Sequence, residues 1–357
     1  MEFGSQGGAV STIKDVARRA GVAISTVSAV LNRSAPVSEE TIARVEAAVE
    51  AIGYTPHGGA QSLRSGRSRL IGLVVPNVAN PHFAAVAREV ENVCLSAGYT
   101  TVVYSTGQDA ERESQVLKMM RVQRVAGLIV IPTRSDAEHG AALINQIHVP
   151  TVLLDMYVDG LPYDVIKTDN VEAGRLATDY LLSLGHRDIG IIVGIPGLAT
   201  SDDRHAGYRK AFADHGLVPD PALALPGDFD QQSAHDATLK LLDRKTPPTA
   251  IVTISNMMTV GLLFALRERG LTPPNDVSIV GIDDLEFAKL LDPQPTTVET
   301  PILLMARQSI ELLLKQLAHK TPPTGRRDIH QPRLIVRNSA APLAKRAGKR
   351  HGTAPAK

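Results

Sequence analysis

The chain of 357 residues contains one cysteine, Cys94. That excludes a disulfide framework within the chain and any metal site built on several cysteines, and it fits a reducing compartment. No run approaches the roughly 18 consecutive apolar residues of a membrane-spanning helix. No signal peptide opens the sequence; the opening MEFGSQGGA reads as a tag and loose lead, residues 1–10, outside any fold. The eleven histidines are scattered without metal-ligand spacing. There is no Walker loop, no nucleophile elbow and no dinucleotide glycine fingerprint after the first strand. "VGIPG" (Val193–Gly197) is an ordinary strand exit. An enzyme is therefore not expected, and neither a cofactor nor a metal is called for.

Acid is missing from the last twenty residues. Residues 338–357 carry five Lys/Arg and no Asp or Glu, and residues 1–69 carry eight Lys/Arg against six Asp/Glu. With a formal charge of +1 overall, the long middle segment is acidic. A weakly basic head on an acidic body suggests that a polyanion meets the head. The tail from 338 is rich in Ala, Gly and Pro, lacks apolar periodicity and is expected to be disordered. It has no leucine heptads, so no coiled coil is expected from it. Hydrophobic residues at 43% and charged residues at 21% predict a folded chain with a substantial core, long enough for two or three domains.

The head reads as three short helices. In "STIKDVARRAG", Ile13, Val16, Ala17 and Ala20 recur at helical spacing, with Thr12 as N-cap and Gly21 closing the turn. In "GVAISTVSAVLN", Val27, Val30 and Leu31 form the inward stripe. Its other side carries Ile24, Ser25, Ser28 and Ala29, almost without charge, which a purely solvated face would not show. "VSEETIARVEAAVEAIGY" starts at Ser38, has Glu39 and Glu40 in the positive first turn, turns Ile42, Val45, Val49 and Ile52 inward and stops at Gly53. A tight turn between the first two helices describes a helix-turn-helix unit. On pattern alone, a small helical dimerisation module remains open.

From Leu70 the pattern alternates between apolar runs and helices. "LIGLVV", "TTVVYS", "GLIVI" and "TVLLD" read as strands, with helices near 83–96, 110–123 and 137–147 between them. "IGIIV", "TAIVTI" and "VSIVGI" follow, with helices near 171–183, 205–215, 232–244 and 258–269. This predicts parallel sheets with crossovers in two α/β halves, and a ligand cleft outside the carboxyl ends of the strands.

"TIKDVARRAGVAISTVSAVLN…VSEETIARVEAAVEAIGYTP" closely resembles the DNA-binding head of the lactose/galactose repressor (LacI-type) family, without a gap from Thr12 to Pro56. The likeness continues less strictly to about Asn338. It implies an all-α helix-turn-helix head (11–57) and a hinge helix or linker (58–69). It also implies a two-lobed, periplasmic-binding-protein-like (type I) α/β core with parallel sheets (70–337). Lobe 1 would span about 70–168 and 299–329, lobe 2 about 169–297 and 330–337. The helix from Ile24 to Asn32 becomes the recognition helix in a major groove, with Ile24 and Ser25 at the two principal base-reading positions. Thr12, Lys14, Thr26, Ser28, Asn32 and Arg33 become further DNA contacts. Ala29 stands where the family usually has an arginine, which puts the family's usual half-site in doubt. In the hinge, Leu63 matches the residue that wedges into the minor groove, with Ala60 beside the partner's hinge and Arg64 along the phosphates. Gly58 and Gly59 depart from the family's Ala-like residues there and raise the ordering cost.

The same resemblance places a set of strand-end residues near an effector: Asp155, Arg204, Phe229, Asn256 and Asp283, with His82 and Phe83 from "NVANPHF" and Thr133 and Arg134 from "GLIVIPTR". Arg204, read as lying just before a helix, offers a planar fork for oxygens. Ser255-Asn256 replaces the family's Asn-Asp pair; losing an acid while keeping Arg204 and Arg134 tilts the expected ligand toward a sugar acid or sugar phosphate. The expectation is a bacterial cytoplasmic, homodimeric repressor. Double-stranded operator DNA and a sugar-derived effector would be its partners. The competing reading is a cytoplasmic sugar- or purine-binding protein with a helical dimerisation head.

Overall fold

The computed structural model describes residues 11–32, 35–54, 68–158 and 160–343. The chain divides into two units, Met1–Ser68 and Arg69–Lys357.

The head comprises α1 (Ile13–Ala20), α2 (Ile24–Asn32) and α3 (Glu39–Ile52). Asp15 closes the start of α1 by accepting from the Thr12 N–H at 3.0 Å and from its hydroxyl at 2.6 Å. Those bonds hold the Asp15 carboxyl below its usual range. Gly21 ends α1 at φ 65°, a conformation that favours glycine, and this turns the chain sharply into α2. Gly53 ends α3 in the same way. Val16, Val27 and Val45, one from each helix, are fully buried and meet at the centre of the unit.

The second unit holds two six-stranded sheets. The first contains β1 (Leu70–Val75), β2 (Thr100–Ser105), β3 (Gly127–Val130), β4 (Thr151–Leu154), β5 (Asp164–Thr168) and β11 (Arg327–His330), in the order β11-β5-β4-β3-β1-β2. The second contains β6 (Ile189–Val193), β7 (Ala224–Pro226), β8 (Ala250–Thr253), β9 (Ser278–Ile282), β10 (Thr296–Glu299) and β12 (Arg333–Ile335), in the order β12-β10-β9-β8-β6-β7. All pairings are parallel except β10 with β12. The two orders match strand for strand, so β4 of one lobe corresponds to β9 of the other.

Parallel strands need crossovers, and helices on both faces supply them. In lobe 1, Ile71, Leu73 and Val75 face α4 (Pro81–Ser96) and α11 (Ile302–His319). Val74 and Val130 face α5 (Ala110–Val122) and α6 (Ala137–Gln146). Lobe 2 carries α7 (Asn170–Ser183), α8 (Ala199–Asp214), α9 (Gln231–Leu242) and α10 (Asn256–Glu268) around one continuous apolar core. The chain passes between lobes after Thr168, after Glu299 and after His330.

The structure corrects two sequence expectations. The tail does not loosen at 338. The Ser339 hydroxyl is buried between the Ile279 carbonyl at 2.8 Å and the Thr296 N–H at 2.7 Å, and the Leu343 N–H reaches the Leu184 carbonyl at 2.9 Å. Small residues there tie the starts of β9 and β10 through hydroxyl and main-chain bonds, which leave no apolar period to read. Secondly, α8 begins at Ala199, so Arg204 lies inside the helix and not before it.

Candidate functional site: a DNA-reading helix and an interlobe cleft

In the head, α2 starts from Ala23, whose carbonyl accepts from the Thr26 and Val27 N–H groups. Its first turn presents Ile24, 39% exposed, and Ser25, also exposed, to solvent, while Val27 anchors the opposite side. Thr26, Ser28 and Ala29 are half-buried along the flank, and Lys14 on α1 is exposed. The Thr12 hydroxyl is already committed to Asp15, so a phosphate at that position would compete with the N-terminal box. Arg33, Ala60, Leu63 and Arg64 lie outside the described residues, as does the side chain of Asn32.

Between the lobes lies a cleft enclosing about 680 Å³ of space between atoms, part of it open to solvent. Lobe 1 lines it with Asn80, His82, Phe83, Thr133 and Asp155; lobe 2 with Leu198, Thr200, Arg204, Phe229, Asn256 and Asp283. Eight of the nine side chains expected near an effector, Thr133 included, are thus brought together. Arg134 is not among them. It points to Asp136 at 2.8 Å on the exposed start of α6, and its neighbour Thr133 faces the cavity instead.

Arg204 is 2% exposed, the largest fully buried side chain among the described residues. Its Nη1 donates to Asp283 Oδ2 at 2.8 Å and to the Ile254 carbonyl at 2.6 Å, and its Nε donates to Asn170 Oδ1 at 2.9 Å. Thr300 donates to the other Asp283 oxygen at 2.7 Å. Burial alone would raise the Asp283 carboxyl, but Arg204 and Thr300 hold it below its usual range. Close helix packing puts Arg204 there. A Cβ on Gly174 of α7 would lie 2.0 Å from the Arg204 carbonyl, and one on Gly207 of α8 would lie 2.0 Å from the Val171 carbonyl.

Asp155 follows β4 as Asp283 follows β9, and both have φ 64°. Their N–H groups bond the equivalent neighbouring strands, at Ile166 and Val298. Aspartate tolerates this left-handed conformation better than most residues. The pair shares a backbone role and differs in surroundings. Asp155 has no hydrogen-bonding partner on its carboxylate among the described residues, and burial pushes its carboxyl above the usual range. Phe229, at φ 55°, is a bulky residue in a strained conformation. Its ring occupies the space that a side chain at Gly194 would fill, 2.3 Å from that glycine's virtual Cβ.

Asn80, Glu113 and Thr200 were not expected at the site, and the structure joins them to the expected Asn256 and Thr133. Asn80 and Asn256 face each other across the cleft, the Asn256 amide donating to Asn80 Oδ1 at 2.8 Å. The Glu113 carboxylate, fully buried, accepts the Thr133 N–H at 2.7 Å and fixes that loop. Thr133 and Thr200 each bring a buried hydroxyl with no partner among the described residues. Of these two, only Thr133 gave a signal beforehand, through its strand-end position.

Residues 12–57 match the model of bacterial regulatory proteins of the lacI family, and residues 178–340 match the periplasmic binding protein-like domain. The HTH-type transcriptional repressor PurR of Edwardsiella ictaluri is 33% identical over 333 residues, covering 93% of this chain and 97% of that protein. A Lac repressor dimer bound to operator and the anti-inducer ONPF superposes with a TM-score of 0.83 at 27% identity, over 93% of this chain and 100% of that one. The regulator CelR in complex with cellobiose gives a TM-score of 0.68 at 30% identity, over 92% and 100% of the two chains. The chain therefore belongs to the LacI family. It is a DNA-binding transcriptional repressor with a helix-turn-helix head and an effector-binding, periplasmic-binding-protein-like core, and not an enzyme.

Proposed function

We propose that this repressor acts in the bacterial cytoplasm as a homodimer. Two heads read the half-sites of a roughly palindromic operator, and a small ring-shaped effector, a sugar or a purine, closes the interlobe cleft and resets DNA affinity. The observation that carries the reading is the pairing, on one chain, of an exposed and uncharged first turn of α2 with a cleft lined from both lobes. Ile24 supplies apolar contact, for example to a thymine methyl, and Ser25 donates or accepts at a base edge. Lys14 and Arg33 neutralise phosphates, while Leu63 of the hinge wedges the minor groove with Ala60 and Arg64 beside it.

In the cleft, Phe229 offers a flat face, and Asp155, Asn256, Thr133 and Thr200 offer the hydrogen bonds. The geometry removes the reason for expecting an anionic effector. Arg204 is already paired with Asp283, and Arg134 is turned away. The test is binding of the purified protein to the DNA upstream of its own gene, in a salt series, with and without sugars, amino sugars and purines. Tight, salt-sensitive binding shifted by one compound is expected. Lys14→Ala should reduce the salt slope by about 1. Ser25→Ala should change sequence preference and leave the slope unaltered. No preference over random duplex would reject the reading.

A further inference from the structure

The arginine and the lysine at the cleft each pair with an aspartate, and His82 and Asp155 are the groups without an ion pair among the described residues. Arg204 pairs with Asp283 at 2.8 Å, and Lys167 of β5 pairs with Asp203 of α8 at 3.1 Å. Asp155 is left over. It is 8% exposed, lines the cavity, and has neither ion pair nor hydrogen bond on its carboxylate among the described residues. The groups acting on it are His82 from α4, Arg204 from α8, Lys167 from β5 and Asp283 after β9. His82 is the only one of the three basic groups without an acid partner among the described residues, and it forms no ion pair with Asp155. The equivalent aspartate in lobe 2 shows what satisfies such a position, because Asp283 receives two guanidinium nitrogens.

We propose that the effector carries an organic cation with N–H donors, a protonated amine, amidine or ring nitrogen, and that Asp155 is its counter-ion. This rests on the cleft being the effector site. A closed cleft around a neutral ligand would leave this carboxylate uncompensated in a poorly polarisable site, which is costly unless it takes up a proton. A cation placed between Asp155 and the unpartnered Thr133 and Thr200 hydroxyls completes the charge balance that the protein leaves open. The Thr hydroxyls then accept or donate according to the substituents on the same ring.

The test compares the full-length wild type with Asp155→Asn. The replacement keeps size and tolerates the left-handed backbone, so any gain from the backbone is independent of pH. Because burial raises the Asp155 carboxyl, its charge destabilises the empty protein above the unfolded value near 3.9 and most strongly at alkaline pH. The variant should therefore melt higher than wild type at pH 8. The gap should close as pH falls toward 4. Ethanolamine should raise the melting temperature of wild type alone at pH 8. Ethylene glycol and acetate, at the same concentration and ionic strength, should not.

A variant that melts at or below wild type at pH 8 overturns the proposal. So does a gap that ignores pH, or ethanolamine acting alike on both proteins. Binding of both proteins to upstream DNA is measured in parallel. Its loss in wild type would reject the regulator reading and leave the charge result standing.

Discussion

Arg204 and Asp283 are 2% and 6% exposed, and neither charge has water to fall back on. Removing the arginine leaves a buried carboxylate alone, which typically costs 3–5 kcal/mol. Arg204→Met should accordingly lower unfolding stability by about 3–5 kcal/mol in denaturant titrations. The double variant Arg204→Met/Asp283→Leu should recover most of that loss, because both desolvated charges are gone. Equal instability of the two variants would mean that Arg204 acts through packing. The acid limb carries the same information. Arg204 and Thr300 outweigh burial and hold Asp283 below its usual range, so the stability it contributes is present above the unfolded value near 3.9 and is lost as pH falls through its lower folded value. Melting curves from pH 5 down to pH 2 should fall more steeply for wild type than for Arg204→Met. Asp155 has the opposite sign, although its backbone is equivalent.

The elements that position these groups were legible to different degrees. The strands of both lobes show as apolar runs because parallel strands are buried on both faces. The capped helices of the head show through Gly21, Ser38 and Gly53. The start of α8 did not show: Thr200 and Arg204 are buried facing the cleft and Ser201 is buried and polar, so no hydrophobic stripe marks them. β5 and β11 were missed because "DVIKT" and "RDIH" are short and mixed in polarity, and pairing decides their state. The cleft residues were legible as polar groups at strand ends. Their partners were not, because Asn80 and Asn256 are separated by 176 positions in sequence.

The α7–α8 crossing yields a prediction at this scale. Gly174 lets the helices approach until a methyl would meet the Arg204 backbone at 2.0 Å. Gly174→Ala must move α8 and the arginine with it, at an overpacking cost of about 1–3 kcal/mol. It should also weaken the effector response more than Ala substitution at Gly216, where no heavy atom lies within 4 Å of a virtual Cβ but φ is 68°. That comparison, read by operator release, separates displacement of Arg204 from a general loss of stability.

Across the whole core, polar ties between the lobes add to the three chain crossings and to the packing of Leu198 and Ala199 against the lobe 1 core. Besides Asn80–Asn256, Lys167 of lobe 1 meets Asp203 of lobe 2, and the Ser135 hydroxyl of lobe 1 accepts the Ala199 N–H at 3.0 Å. Ser135 and Lys167 do not line the cavity, so Ser135→Ala/Lys167→Met loosens closure without removing a cavity-lining side chain. A neutral hydrogen bond contributes about 0.5–1.5 kcal/mol and a partly exposed ion pair up to about 1 kcal/mol. Together they shift the closed population by roughly tenfold. An effector that needs the closed cleft then binds about tenfold more weakly, and by linkage its midpoint for changing operator affinity moves by the same factor. Small-angle scattering of the effector-free variant should show a larger radius of gyration than wild type. Unchanged scattering together with an unchanged midpoint would mean that the lobes close through apolar contact alone. A larger radius with an unchanged midpoint would mean that the effector binds both arrangements equally, and so could not be what resets the grip on DNA.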